Sequence, residues 1–214
     1  MVNSVPVISA AILAGGEAKR LGGCNKGLVE LGGQPLLRHV ITALEGLFEE
    51  IFLVTRHPDG LTEFGHRIAL DRYDHRCSLT GIHAALDGAD TPFVFTTACD
   101  TPFLQPNLVH ALMEQIGCGA DVIVPVRDGW YYYPLCAIYS KSCLPVIEAQ
   151  LDQGKLQTVS FLKQVKVATI PLESLLPYDP TLCSLFNVNT PQDIQTAQAM
   201  LPCVPSRRGV EAGL

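Results

Sequence analysis

The chain has 214 residues, of which 48% are apolar and 17% charged, with a formal net charge of −6 at pH 7. That length suits one globular domain with a full core, and the composition excludes a disordered chain. The acidic balance argues against a general nucleic-acid binder or a membrane-surface protein, so neither nucleic acid nor membrane is expected as a partner.

Met1 to Ser4 carries no basic residue, and the apolar run Val5 to Ala14 is too short to span a bilayer. Cys24, Cys77, Cys99, Cys118, Cys136, Cys143, Cys183 and Cys203 are scattered and form no Cys-x-x-Cys pair. They read as reduced cysteines of a cytoplasmic protein, mostly packed as small apolar side chains.

Val7 to Leu13 reads as a buried strand. The stretch Leu13-Ala14-Gly15-Gly16-Glu17-Ala18-Lys19-Arg20-Leu21-Gly22-Gly23-Cys24-Asn25-Lys26 follows it, with four glycines and three cations. Glycine lets backbone amides approach a ligand closely, and converging amides with Lys or Arg make an anion site. It reads as a loop that wraps nucleotide phosphates. An exposed Gly-rich connection is the plainer alternative. It is neither a Walker loop nor a G-x-G-x-x-G dinucleotide fingerprint.

Val29 to Leu31 reads as a short extended piece before a Gly32-Gly33 turn, and Pro35 as the first residue of a helix over about 35–48. Ile51 to Thr55 and Arg67 to Leu70 read as strands, and Ile82, Ala85, Leu86 and Ala89 mark a helix. Phe93 to Ala98 is a third buried strand, stopping at Cys99-Asp100-Thr101-Pro102, and Pro106 opens another helix. Val122 to Val126 is strand, ended by Arg127-Asp128-Gly129. Pro134 to Tyr139 reads as an antiparallel strand nearer an edge. Two helices follow, around 144–151 and 156–163, then a strand over Val165 to Ile170 and a loop over Pro171 to Ser184. Leu185 to Asn189 runs extended into a last helix, with Thr190 as N-cap, Pro191 as first residue and Asp193 in the first turn. The expected organisation is one domain over 1–201 and a loose tail over 202–214.

Strands alternating with helices imply a single doubly wound α/β domain, with a mostly parallel sheet covered by helices on both faces. In such sheets ligands sit beyond the carboxyl ends of the strands. The glycine-rich loop, Asp71 and Asp100 all fall there. Asp100, beside a nucleotide phosphate, suits Mg²⁺ held jointly by protein and phosphate oxygens; an N-cap or turn acceptor before Thr-Pro is the alternative. Asn187 and Asn189 share one face of an extended segment, either to meet a ligand or to form a turn before Pro191. Asp71, Asp74, His75 and Cys77 lack zinc spacing and read as a polar loop. Trp130-Tyr131-Tyr132-Tyr133 fits ordinary strand packing better than stacking on a flat ligand.

Taken together, these strings resemble the molybdenum cofactor guanylyltransferases within the nucleotidyltransferase superfamily, over about residues 7–200. Leu13-Ala14-Gly15-Gly16, Arg20-Leu21-Gly22 and Lys26-Gly27 look like the family's first motif, continued by Pro35-Leu36-Leu37. Ser78 to Ile82, Cys99 to Phe103 and Asn187 to Pro191 are similar to the later ones. Cys77-Ser78 departs from the Gly-Pro usual there.

The resemblance implies a Rossmann-like nucleotidyltransferase fold. It also implies an Mg²⁺-dependent transfer of GMP from GTP to molybdopterin-bound molybdenum, with transient contact to cofactor-insertion proteins or acceptor enzymes. Leu13, Ala14, Gly15 and Gly16 would meet the nucleotide, with guanine and ribose met through the backbone. Arg20 and Lys26 would hold phosphates, Asp71 would help place the nucleoside, Asp100 would bind Mg²⁺, and Asn187 and Asn189 would lie near the pterin or the metal. The alternatives are CTP-dependent or sugar-phosphate nucleotidyl transfer, or a non-catalytic cofactor-delivery protein that kept the fold.

Overall fold

The computed structural model describes residues 7–16 and 25–203. Arg20 and most of the glycine-rich loop therefore lie outside the described residues, as does the chain from 204 onward.

β1 (Ile8–Leu13) is an apolar run with no room for solvent on either face, and it lies mid-sheet. A two-residue hairpin, β2 (Glu30–Leu31) and β3 (Gln34–Pro35), turns at Gly32 and Gly33, both at positive φ. Pro35 is thus the last hairpin residue and caps α1 (Leu36–Leu44) instead of opening it, because it pairs with Glu30. β4 (Ile51–Thr55), β5 (Ile68–Leu70), α2 (Ser78–Gly88), β6 (Phe93–Ala98) and α3 (Pro106–Met113) follow. β7 (Val122–Arg127) and β8 (Tyr131–Tyr132) form a tight hairpin. Then come β9 (Cys136–Ser140), α4 (Leu144–Asp152), α5 (Thr158–Leu162), β10 (Val167–Pro171), α6 (Leu172–Leu175) and α7 (Pro191–Met200).

The sheet order is β10-β7-β9-β6-β1-β4-β5, with β8 on β7. β1 pairs in parallel with both β4 and β6, and β10 with β7. The chain winds outward from β1 through β4 to β5, then returns to place β6 on β1's other side. That reversal opens a crevice at the carboxyl ends of β1, β4 and β6.

Side chains alternate across the sheet. Ala10, Ile12, Leu53 and Phe95 meet α1, α3 and α6 on one face, while Ala11, Phe52, Val54 and Val94 meet α2, α4 and α5 on the other. The doubly wound, mostly parallel arrangement read from the sequence is the one observed.

Two expectations need correction. β9 is antiparallel but lies inside the sheet between β6 and β7, not near an edge. Cys136, Ala137, Ile138 and Tyr139 are all buried, so both of its faces are covered. The expected loop over Pro171 to Ser184 contains α6 and a 3₁₀ turn over Cys183–Leu185. That turn is organised by the buried Asp179 carboxylate, which accepts from the backbone NH groups of Cys183 (3.2 Å) and Ser184 (2.8 Å). Cysteines 99, 136, 143 and 183 are buried free thiols, and burial pushes those of Cys136 and Cys143 up to about 12. Among the described residues no helix is long and apolar enough to cross a membrane.

Candidate functional site

A cleft of about 370 Å³ opens at the carboxyl ends of β1, β4, β5 and β6. Leu13, Gly15, Gly16, Lys26, Asp71 and Asp100 all line it. Ala14 does not reach its wall. The Ala14 NH donates to Val54 and its carbonyl accepts from Asn25 Nδ2 at 3.0 Å. Ala14 therefore anchors the loop, and the main chain offered to a ligand is that of Gly15 and Gly16.

Asn25 and Lys26 close the loop. Asn25 holds the Ala14 carbonyl with its amide nitrogen and caps the 3₁₀ turn Lys26–Leu28 with its amide oxygen, which accepts from Gly27 N at 2.9 Å. Lys26 N donates to the Gly16 carbonyl at 3.2 Å. A Cβ on Gly27 would lie 3.3 Å from Leu37 and 3.4 Å from Cys99, so a larger residue would press on Leu37 and glycine lets the turn seat close to β6 without that crowding. The lysine side chain is thereby aimed at the cleft.

Lys26 Nζ contacts both the Asp100 carboxylate and Asn189 Oδ1, the latter at 2.5 Å. Asn187 Nδ2 donates to Asp100 Oδ1 at 3.0 Å. Both asparagines are delivered by one extended segment, pinned where Val188 N donates to the Asp100 carbonyl at 2.9 Å. The next turn fixes Asn189, because its NH donates to Asp193, which with Thr190 forms a reciprocal capping box at the start of α7. Residues far apart in the chain thus converge on a single carboxylate. Its side chain and that of Lys26 are only 11% and 12% exposed, so charge there is weakly screened.

At the other end of the cleft, Asp71 Oδ2 accepts from Thr80 Oγ1 at 2.8 Å and faces Arg56 at 3.4 Å. Arg56 also donates to the carbonyls of Tyr73, Asp74 and His75, stapling the loop between β5 and α2. Sequence reasoning did not single out Arg56 or Thr80. The signal was present for Arg56, which directly follows a strand whose carboxyl end faces the crevice.

Asp74, His75 and Cys77 form no metal cluster, and among the described residues no group of three His, Cys, Asp or Glu side chains could enclose a metal ion. A divalent ion at Asp100 would therefore draw most of its ligands from water and substrate oxygens. That fits Mg²⁺, which is usually held by one or two carboxylates and nucleotide phosphates.

A switch-point crevice carrying open glycine backbone, a lysine and a shielded carboxylate defines a nucleotide-handling α/β protein. Residues 10–167 match the family described as the MobA-like NTP transferase domain, and the chain belongs to that family of nucleotidyltransferases. It is 35% identical over 194 residues to a molybdenum cofactor guanylyltransferase of Desulfosudis oleivorans, covering 91% of this chain and 96% of the relative. It is 36% identical over 192 residues to a probable molybdenum cofactor guanylyltransferase of Pelotomaculum thermopropionicum, covering 90% and 92%. Its fold superposes on molybdopterin-guanine dinucleotide biosynthesis protein A from Archaeoglobus fulgidus with a TM-score of 0.80 at 29% identity, covering 91% of this chain and 99% of that one.

Proposed function

We propose that this chain transfers GMP from GTP to the terminal phosphate of molybdenum-bound molybdopterin, giving the guanine dinucleotide cofactor and pyrophosphate. The observation that carries the reading is the hydrogen-bonded cluster of Lys26, Asp100, Asn187 and Asn189, whose Lys26 and Asp100 line the cleft. The names of the relatives supply the substrates.

The acceptor oxygen bonds to the α-phosphorus, the α–β bridging bond breaks, and the pyrophosphate leaves with the electron pair. A phosphate monoester is already anionic at neutral pH, so no general base is required. The difficulty is bringing two anions together, and the protein's task is to neutralise and align them.

Backbone NH groups of Gly15 and Gly16, with Lys26 and Arg20, hold the triphosphate. Asp71, kept in place by Thr80 and Arg56, sits on the nucleoside side. Asn187 and Asn189 hold the acceptor phosphate against the reacting centre. Mg²⁺ held at Asp100 would supply charge neutralisation between the reacting phosphates. The free thiols fit a reducing cytoplasm, where the product passes to insertion proteins or acceptor enzymes by transient contact.

Pyrophosphate release from GTP and Mg²⁺, dependent on molybdopterin and much weaker with CTP, is the expected outcome. Equal turnover of both nucleotides would remove the guanylyl assignment. No turnover with either would leave the delivery-protein reading.

A further inference from the structure

The run Trp130 to Tyr133 has no part in the cleft described above. β7 and β8 are joined by Asp128, Gly129 and Trp130; the first two have φ of 54° and 75°, and Trp130 N donates to the Arg127 carbonyl at 3.3 Å to close the turn. β9 pairs with β7 only at Val122 and Ile123, while β8 pairs with Val126 and Arg127. Between those pairings lies Pro125, which has no NH to offer a neighbouring strand. Where the hairpin parts from the start of β9, a second cavity of about 360 Å³ opens.

This cavity adjoins the first. Ser78 and Leu135 line both, and Asn187, which donates to Asp100, lines the second. Its outer wall is aromatic. Tyr131 has the Arg127 guanidinium 4.6 Å from its ring centre and meets Tyr133 edge-on at 5.2 Å. Tyr131 is still 43% exposed although three groups are packed around it. Burial raises the Tyr133 hydroxyl above the usual tyrosine range, so at neutral pH it remains a hydrogen-bond donor. Among the described residues no carboxylate lines the cavity, and Arg127 is the one cation that does.

We propose that this second cavity, walled by Arg127, Tyr131 and Tyr133, seats the planar ring system of the acceptor. The ligand class is a flat, hydrogen-bond-rich fused heterocycle whose phosphate end passes Asn187 to reach Asp100. The inference rests on the transfer reaction proposed above, and it assigns the chain-specific residues that would grip the acceptor. Electron-rich rings held edge to face, with a guanidinium at one face, recognise planar heterocycles by stacking, and hydroxyls at the rim pair with ring nitrogens and carbonyls.

Trp130 is the chain's only tryptophan, and its ring lies 6.0 Å from that of Tyr131. Trp130 does not itself line the cavity, so its emission reports occupancy through Tyr131, which does. Anaerobic titration of the full-length protein with molybdopterin should quench it to saturation. Tyr131→Ala should weaken binding roughly tenfold, the loss of one stacking face. The acceptor KM should rise by a similar factor, while GTP affinity and the melting midpoint stay unchanged, and Tyr131→Phe should restore binding. The midpoint of the titration, not its amplitude, is the readout, since the substitution alters the tryptophan's surroundings.

Unchanged molybdopterin affinity in Tyr131→Ala and in Tyr133→Ala would overturn the subsite, even if guanylyl transfer proceeds. Tyrosine-dependent binding without pyrophosphate release from GTP would uphold the subsite and remove the transfer reaction instead.

Discussion

The side-chain amide of Asn187 donates to Asp100 Oδ1 at 3.0 Å, joining residues 87 positions apart. The bond couples the carboxyl end of β6 to the segment before α7. It also spans the boundary between the two cavities. Asp100 is thus held by Asn187, which lines the second cavity, and by Lys26, which lines the first.

Asp100→Asn keeps the size of the side chain and can still pair with Asn187, but it removes the charge. Turnover should fall by roughly 10²-fold or more, the scale of losing one preorganised electrostatic contact to a transition state. The melting midpoint should fall, since Lys26 loses its carboxylate partner in a weakly screened site. Steady-state pyrophosphate release and calorimetry on the same preparation check both halves.

Lys26 orders the site, as its ammonium bridges Asp100 and Asn189, and in the proposed reaction it would also hold the phosphates. Lys26→Ala should lower kcat by roughly 10²-fold. Lys26→Met, which retains most of the aliphatic stem, should be equally impaired, so a recovery in that variant would assign the loss to packing.

Arg56 ties down the loop after Asp71 through its hydrogen bonds, and a positioning role is expected of it. Replacing it with glutamine frees the carbonyls of Tyr73, Asp74 and His75. The expected result is a GTP KM raised about tenfold with kcat within about twofold, and a loss of about 2 kcal/mol, or roughly 4–8 °C in melting midpoint. Lysine should not rescue it, because one ammonium cannot span the positions that a planar fork reaches. A fall in kcat with unchanged KM would contradict this positioning role.

The start of α7 titrates. The backbone NH of Asn189 foremost, aided by Thr190, holds the Asp193 carboxyl below its ordinary value. A depressed folded-state pKa stabilises above the unfolded value, near 3.9, and that contribution is lost as pH falls through the folded one. Asp193→Asn should therefore cost about 1 kcal/mol at pH 7 and progressively less from about pH 4 downward. Denaturant melts from pH 7 to pH 2.5 would show the two curves converging. A gap independent of pH would mean that the carboxylate charge contributes nothing.

Much of this was legible in the residues. The apolar run into Gly15-Gly16, the strand ending at Asp100 and the Thr190-Pro191-Gln192-Asp193 cap each carry a local signal with one physical meaning. What could not be read were relations set by tertiary packing. The apolar run Cys136 to Tyr139 gives a strand but does not name its neighbours, so the place of β9 between β6 and β7 was set by tertiary pairing. The turn over Cys183–Leu185 depends on the carboxylate of Asp179, whose burial is decided by the fold around it. Pro35 fits the start of a helix and the end of a hairpin equally well, and the Gly32-Gly33 turn decides between them. The tyrosine run does pack as strand at Tyr131 and Tyr132, yet it also walls a cavity, because β7 and β9 separate beside Pro125.

The central claim is that Asp100 and Lys26, at the edge of the first cavity next to the second, act on one triphosphate. The direct measurement is single-turnover transfer of radiolabelled GMP from α-labelled GTP to molybdopterin, compared between wild type, Asp100→Asn and Lys26→Met. Labelled dinucleotide should form with Mg²⁺ in the wild type and fall by at least about 10²-fold in each variant while the fold persists. Wild-type rates in either folded variant would contradict the account.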